Sequence, residues 1–568
     1  MLVQSDKDVL RASPPPLKKV VVVFKTHFDL GFTGLPDEVM SFYTGPMFSA
    51  VQLTMRQTAD EPENLRYNWT LPAWALDTFL HSPNVPPRRR AAARKLVEEG
   101  RLNWHAWPFT THTAFCGLED LVRGLHISRS LSEEFGRAPT GAKQTDVPGH
   151  TWVLPSLLVR AGVKFLHLGC NAGSHPPHVP PLFWWEGPDG LRLLTYYSAG
   201  GYGTPLLPPE GWALDTWLSV QQTEDNIGPQ SPEELAEIRH AIESGAPGAE
   251  ILFGELGDFA ESLMRNPEQL ALLPVVAYDM ADTWIHGVGT MPREVSRVRG
   301  VRRKLLAAEL LAAKHAWPLQ APGADLAKNR RDLARQVAPH IDAAYRELLL
   351  FGEHTWGLDV KSTIKRGFGP AFLAARQTEP YRRLEASWTA KGAYVSRAED
   401  ALERAMDMVR EADANAPDAM STPRSIEATS SSRNGRQPNV LENMHLRVEV
   451  DPVRGGIASL FDKHTAREWV DGTSDQPFGG YRYDLYSAGD IAEFMRAYGL
   501  FFQDWFVQDF GKAGYPEKSV HHTAYACDFR LSKETIEVGS RRASVLRLEG
   551  GRIDNPALPC QGISIELK

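Results

Sequence analysis

The chain of 568 residues is 42% apolar and 23% charged, with a formal net charge of -8 and a pI near 6.2. That length leaves room for three or more domains with large cores. The acidic balance argues against a nucleic-acid or anionic-membrane partner, and the run Arg88-Arg89-Arg90 reads as a solvated helix start rather than a basic patch.

Residues 1–17 are polar and proline-rich and read as a loose tail with no signal-peptide core. From 18 to about 278 short apolar runs recur at 20–24, 65–69, 102–106, 142–145, 164–168, 191–197, 251–253 and 275–278. Helix-like segments at 37–55, 87–99, 118–135, 153–161 and 232–244 separate most of them. This alternation predicts a parallel sheet with helices outside, and seven or eight such units can close into a barrel. Residues 18–282 are therefore read as a (β/α) barrel domain of the seven-stranded type. Residues 283–413 carry three long Ala/Leu/Arg-rich segments at 293–316, 325–351 and 388–412, which predict a three-helix bundle. Residues 414–440, rich in Ser, Thr, Pro and Asn, read as a linker. From 441 the pattern turns to period two, as in Leu446-Arg-Val-Glu-Val450, with further runs at 457–461, 525–531, 544–548 and 563–567. A C-terminal β-sandwich over 441–568 is expected, and its last run stops at Lys568 without a closing turn, the pattern of an incomplete domain. The fold class expected is α/β plus all-α plus all-β.

Cys116, Cys170, Cys527 and Cys560 share no metal or redox spacing and read as reduced thiols. No run is long enough to span a bilayer, so the expectation is a cytoplasmic protein with no membrane partner, compatible with a homo-oligomer. The Asn68-Trp-Thr70 sequon is then expected to go unused. The 15 tryptophans suit either core packing or stacking on sugar faces.

Four stretches place histidines or carboxylates where chemistry can use them. In His27-Phe-Asp29-Leu-Gly31-Phe32, directly after the 20–24 run, residues two apart in an extended segment point the same way. An imidazole and a carboxylate are half of a zinc site. In Gln144-Thr-Asp146-Val-Pro-Gly149-His150 the chain turns sharply and leaves Asp146 at a strand end. Gln222-Thr-Glu224-Asp225-Asn-Ile-Gly-Pro229 reads as a polar acidic turn before a helix. Phe351-Gly-Glu353-His354-Thr355-Trp356-Gly357 ends the second bundle helix. Singly, each has a plain structural reading: a helix cap, a loop acid, a histidine at the C-terminal end of a helix dipole.

In this order the stretches resemble glycoside hydrolase family 38, the zinc-dependent α-mannosidases, in a divergent form. His27-Phe-Asp29-Leu-Gly31-Phe32 is similar to the family's His-x-Asp-x-Gly-Trp, and Asp146-Val-Pro-Gly149-His150 to its Asp-Pro-Phe-Gly-His. Glu353-His354-Thr355 resembles its His-Asp pair after a middle-domain helix. Phe183-Trp-Trp-Glu-Gly-Pro-Asp-Gly190 is similar to its tryptophan hairpin, and Asp282-Thr-Trp284-Ile-His286-Gly287 to the lead-in to its bundle. The resemblance implies one Zn2+ per chain held by His27, Asp29, Asp146 and His354. It makes Asp146 also the nucleophile of a retaining glycosidase. The acid/base would be Asp225, with Glu224 as the alternative and Asp279 and Asp282 more distant.

Three departures fall on sugar-contacting positions: Phe32 for tryptophan, Thr355 for aspartate, and Leu168-Gly-Cys170-Asn171 where an arginine is expected. The metal site should persist with an altered sugar pocket. Trp104, His105, Trp107, His112 and Trp356 join Phe32 and Thr355 as candidate pocket residues. The function expected is a zinc-dependent retaining glycosidase of the α-mannosidase type acting on a carbohydrate. The rivals are a zinc-dependent carbohydrate deacetylase on a related barrel and an inactive carbohydrate-binding relative.

Overall fold

Residues 20–24 are five apolar side chains without solvent exposure, the state of a strand covered on both faces. They form the middle of β1 (Lys19–His27) in a computed structural model of the chain. The structure describes residues 16–316, 324–360, 363, 373–414, 439–500, 517–538, 541–553 and 563–567. They fall into two units, one of residues 1–417 with 497–510, the other of 418–496 with 511–568. The expected tail and linker, and Cys560, lie outside the described residues apart from the segments' ends.

In the first unit β1 is followed by β2 (Trp69–Pro72), β3 (Leu102–His105), β4 (Gly141–Asp146), β5 (Phe165–Cys170), β6 (Leu182–Glu186), β7 (Arg192–Ser198), β8 (Thr216–Asp225), β9 (Glu250–Phe253) and β10 (Val275–Val276). They form two five-stranded sheets rather than one continuous barrel ladder. One has the order β3-β2-β1-β8 with β9 also on β1, all parallel; the other has the order β10-β6-β7-β5-β4. The Ala106 amide donates to the Gly141 carbonyl at 2.9 Å, joining the edges at β3 and β4. The second sheet departs from a parallel pattern because β6 folds back on β7 as an antiparallel hairpin.

Two further differences have local causes. The stretch read as an acidic turn is the end of β8, whose polar residues are no less strand for being paired with β1 along its length. The helix expected over 37–55 is interrupted by a wide turn, Tyr43–Met47, between Pro36–Phe42 and Phe48–Gln57. Pro46 lies inside that turn and has no N–H for the helical ladder.

Helices Pro292–Ala316, Ala324–Phe351 and Glu379–Ala414 make up the bundle. Leu305, Val337, Leu348 and Val395 belong to the same buried cluster as residues 20–24, so bundle and sheets share a core. In the second unit an antiparallel sheet of four strands, a pair and a sheet of three contribute to one small core around Val450, Phe529, Leu546 and Leu548. No described helix is long and apolar enough to cross a membrane.

Leu348 is fully buried at the shared core. Leu348→Ala should lower unfolding stability by roughly 2–5 kcal/mol. Urea melts followed by tryptophan fluorescence and by helical circular dichroism should shift together, because one core serves both parts.

Candidate active site

β1 ends at His27, where its pairing with β8 slips by one residue and sets His27 opposite Asp225. Asp29 follows two residues on, just before a turn that needs Gly31, at φ +150°, where a Cβ would sit 3.0 Å from Thr355 Oγ1. β4 ends at Asp146 with φ +97°, a conformation costing on the order of 1–3 kcal/mol for a residue with a Cβ and concentrated at functional sites. His354 arrives from beyond the helix Ala324–Phe351, its amide donating to Thr110 O at 3.1 Å.

These four side chains meet. His354 Nε2 lies 2.9 Å from Asp146 Oδ2 and 3.1 Å from Asp29 Oδ1. His27 Nε2 lies 3.1 Å from Asp29 Oδ1 and 3.8 Å from Asp146 Oδ2. All four residues are buried, and the donor atoms lie within 4.8 Å of one another. Among the described residues, His27 Nε2 and Asp146 Oδ1 are left without a hydrogen bond despite that crowding. Buried polar atoms left unpaired inside so close a cluster suit a cation's donor set, and two imidazoles with two carboxylates suit zinc.

The outer contacts fix the right ring edges. His354 Nδ1 donates to Glu353 Oε1 at 2.8 Å, which turns Nε2 to the cluster. Glu353 is buried and backed by Lys391 at 3.4 Å, which also donates to the Glu353 carbonyl at 2.8 Å. On the other side the Gln222 amide lies 3.1 Å from His27 Nδ1, and its Oε1 has no partner. Exchanging the amide's N and O gives His27 Nδ1–H an acceptor and leaves Nε2 as a lone pair toward the cluster. Tyr202 stacks on His27 at 4.2 Å between centroids. Asn226 grips the β1 turn, accepting from the Asp29 amide and donating to its carbonyl, each at 3.1 Å.

The charges answer one another. Burial opposes ionisation of Asp29, yet His27 and His354 hold it below the usual carboxylate range. Burial likewise opposes a charge on His354, but Glu353, Asp146 and Asp29 raise it well above an ordinary histidine. Asp225 is pushed up to about 6, by burial first and then by Asp29 and Asp146, against the pull of His27.

The cluster opens into a cavity of about 910 Å3. Phe32, His112, Glu224, Asp225, Thr355 and Trp356 are among the residues that line it. Asp225 is half-buried and Glu224 exposed, as alternation at a strand end dictates. Trp104, His105 and Trp107 do not line it. Trp104 is a core side chain whose Nε1 donates to Ser128 at 3.1 Å, and Trp107 is buried in the second core cluster. His105 faces a small internal chamber with Lys25 and Lys143, because it points into the sheet interior. Gln222, Asn226, Tyr202, Glu353 and Lys391 were not legible as site residues. Glu353 stands beside His354, and Gln222 and Asn226 stand in the stretch around Glu224 and Asp225, but Tyr202 and Lys391 carried no local signal.

Residues 18–254 match the model of the glycosyl hydrolases family 38 N-terminal domain. Residues 337–549 match a second model, a domain of unknown function (DUF5054). No curated protein matches the sequence. An alpha-mannosidase from Enterococcus faecalis V583 has a similar structure, with 13% identity and a TM-score of 0.55, covering 94% of this chain and 67% of that one. A protein in the Glycosyl Hydrolase Family 38 from Enterococcus faecalis is similar at 13% identity and TM-score 0.51, covering 94% and 66%. The chain thus spans about two thirds of the length of these structures.

Glu353→Gln keeps the shape beside His354 and removes the charge that orients it. It should weaken zinc binding roughly 10- to 100-fold in competition with a chromophoric chelator, without unfolding the chain.

Proposed function

We propose that this chain, a divergent member of glycoside hydrolase family 38, is a metal-dependent retaining glycosidase that cleaves an α-linked sugar. One observation carries the reading: a zinc-type donor set and a carboxylate of raised pKa, Asp225, open into one cavity, with His27 Nε2 4.0 Å from Asp225 Oδ1. His27, Asp29, Asp146 and His354 would hold the ion, which when bound supplies positive charge for sugar hydroxyls.

The chain's own residues do the bond-making. Asp146 has its Oδ2 in the donor set and its Oδ1 unpaired, so one oxygen is available to attack the anomeric carbon. Asp225, whose proton affinity is raised by burial and by Asp29 and Asp146, gives its proton to the departing glycosidic oxygen. The glycosyl ester on Asp146 is then hydrolysed by a water that Asp225, now ionised, deprotonates. Glu224, at the adjacent position, is exposed and turned away from the donor set by the alternation of the strand. Phe32 and Trp356 offer the sugar an apolar wall, beside Thr355, whose hydroxyl donates to the Leu30 carbonyl at 3.1 Å.

Asp146→Asn should abolish turnover of nitrophenyl α-glycosides by the zinc-loaded protein. Asp225→Asn should lower kcat about 10²- to 10⁴-fold on a glycoside with a poor leaving group, and much less on a nitrophenyl one, whose leaving group needs no proton. An acetylated sugar still deacetylated by that variant, with no glycoside cleaved by the wild type, would move the assignment to a deacetylase.

Because Asp225 must carry its proton, kcat/KM for the poor-leaving-group substrate should fall as pH rises through about 6. A flat profile on that side, in the wild type, would remove Asp225 from the acid role.

A further inference from the structure

The cavity has a second polar wall that this scheme leaves unused. His112 lines it, and Asp282 lies behind His112, away from the cavity. The His112 Nδ1–H donates to Asp282 Oδ2 at 2.7 Å, and both side chains are 1% exposed. The other Asp282 oxygen accepts from the Trp284 amide at 2.9 Å. Nδ1 is spent, so Nε2, which has no hydrogen-bond partner among the described residues, is the nitrogen left for a ligand. Trp356 stands beside it, ring centroids 6.2 Å apart, on the same cavity. An aromatic face next to a fixed polar edge matches a pyranose, which has apolar faces and a rim of hydroxyls.

The pair is assembled by the turn after β4. Gln144 exchanges two hydrogen bonds with Thr111, accepting from its amide at 3.1 Å and donating to its carbonyl at 2.7 Å, which fixes the loop bearing His112. The Met280 amide donates to the His150 carbonyl at 3.2 Å. Gly149 lets the loop bearing Asp282 come this close: a Cβ there would lie 2.0 Å from the Ala281 carbonyl oxygen. A pair that served only to tie two loops together would not need an imidazole edge on the cavity.

We propose that His112 reads one hydroxyl of the sugar through Nε2, and that Asp282 is a positioning residue that fixes the ring tautomer for it. This rests on the glycosidase reading above and names the group that sets sugar specificity.

The test uses the zinc-loaded wild type, His112→Phe, His112→Gln and Asp282→Asn. Each is assayed with the nitrophenyl α-glycoside turned over fastest and with each monodeoxy analogue of that sugar. Wild type should lose about tenfold or more in kcat/KM when the hydroxyl that is read is missing. In His112→Phe that loss should shrink to within about twofold at that one position, with the other positions unchanged. His112→Gln should keep part of the discrimination and Asp282→Asn should weaken it. Equal slowing of the parent sugar and all analogues would overturn the proposal, since it would mark a structural role only. Should the phenylalanine variant fail to fold, the glutamine and asparagine variants decide by the same criterion. Should no glycoside be cleaved, the mechanism above fails, and the pair is judged by the ring-nitrogen NMR signals of His112. A shift of Nε2 on adding the methyl α-glycosides of mannose, glucose or galactose supports the reader, and no shift with any of them overturns it.

Discussion

Two carboxylates, Asp29 and Asp146, are buried within 3.1 and 2.9 Å of the same imidazole nitrogen, His354 Nε2, and much of the surrounding architecture serves to keep them there. Buried charges of one sign are tolerated only against charge of the other sign and full hydrogen bonding. The protein supplies that balance in layers. His27 and His354 face the carboxylates, Glu353 orients His354, and Lys391 from the long helix Glu379–Ala414 holds Glu353. The helical bundle therefore does more than cover the sheets: its last turns and one buried lysine are part of the electrostatics of the site. Asp225 is the counterpart. It is left partly uncompensated, and its surroundings push its proton affinity up where those of Asp29 are held down.

Three of the four clustered side chains stand in short stretches whose composition is odd for a strand end, His-x-Asp after five apolar residues and Asp before Val-Pro-Gly, while His354 follows a helix and was grouped with them only through the order of the stretches. Residue types with few uses, placed where parallel strands end, survive averaging over the rest of the chain. The bundle was legible for a similar reason, since long glycine-poor segments have few other fates. What failed to show was anything set by long-range pairing. Asn226 reaches a residue 197 positions away, and nothing local marks it as different from a loop asparagine. Trp104 and His105 looked like pocket residues by type, yet the direction of a side chain at a strand end depends on register, and register is fixed by the neighbouring strand. The end of β8 was hidden because its residues are polar for the sake of the cavity, which erases the apolar pattern by which strands are found.

The turn after β4 links the two halves of the site. Its first residue, Asp146, is held in a left-handed conformation and enters the donor set. Gly149 and His150 provide the surface on which the 280–282 loop settles. Strain at Asp146 and close packing at Gly149 are therefore parts of one local solution, in which the chain must turn hard enough to present a carboxylate and still lie flat enough to admit a second loop.

The two matched regions divide the site in a way that follows from this geometry. Residues 18–254 bring His27, Asp29, Asp146 and Asp225, and 337–549 bring Glu353, His354, Thr355 and Lys391. Asp282, with Trp284 and His286 on the cavity wall, lies in the stretch between them. A cation's donor set leaves little freedom, because four atoms must fall within bonding distance of one point. A wall that reads hydroxyls has no such closure condition, since any residue with the right edge in reach can do it. Phe32 and Thr355, which depart from the family's pattern, stand on that freer wall, while the four donors that match it stand at the constrained point.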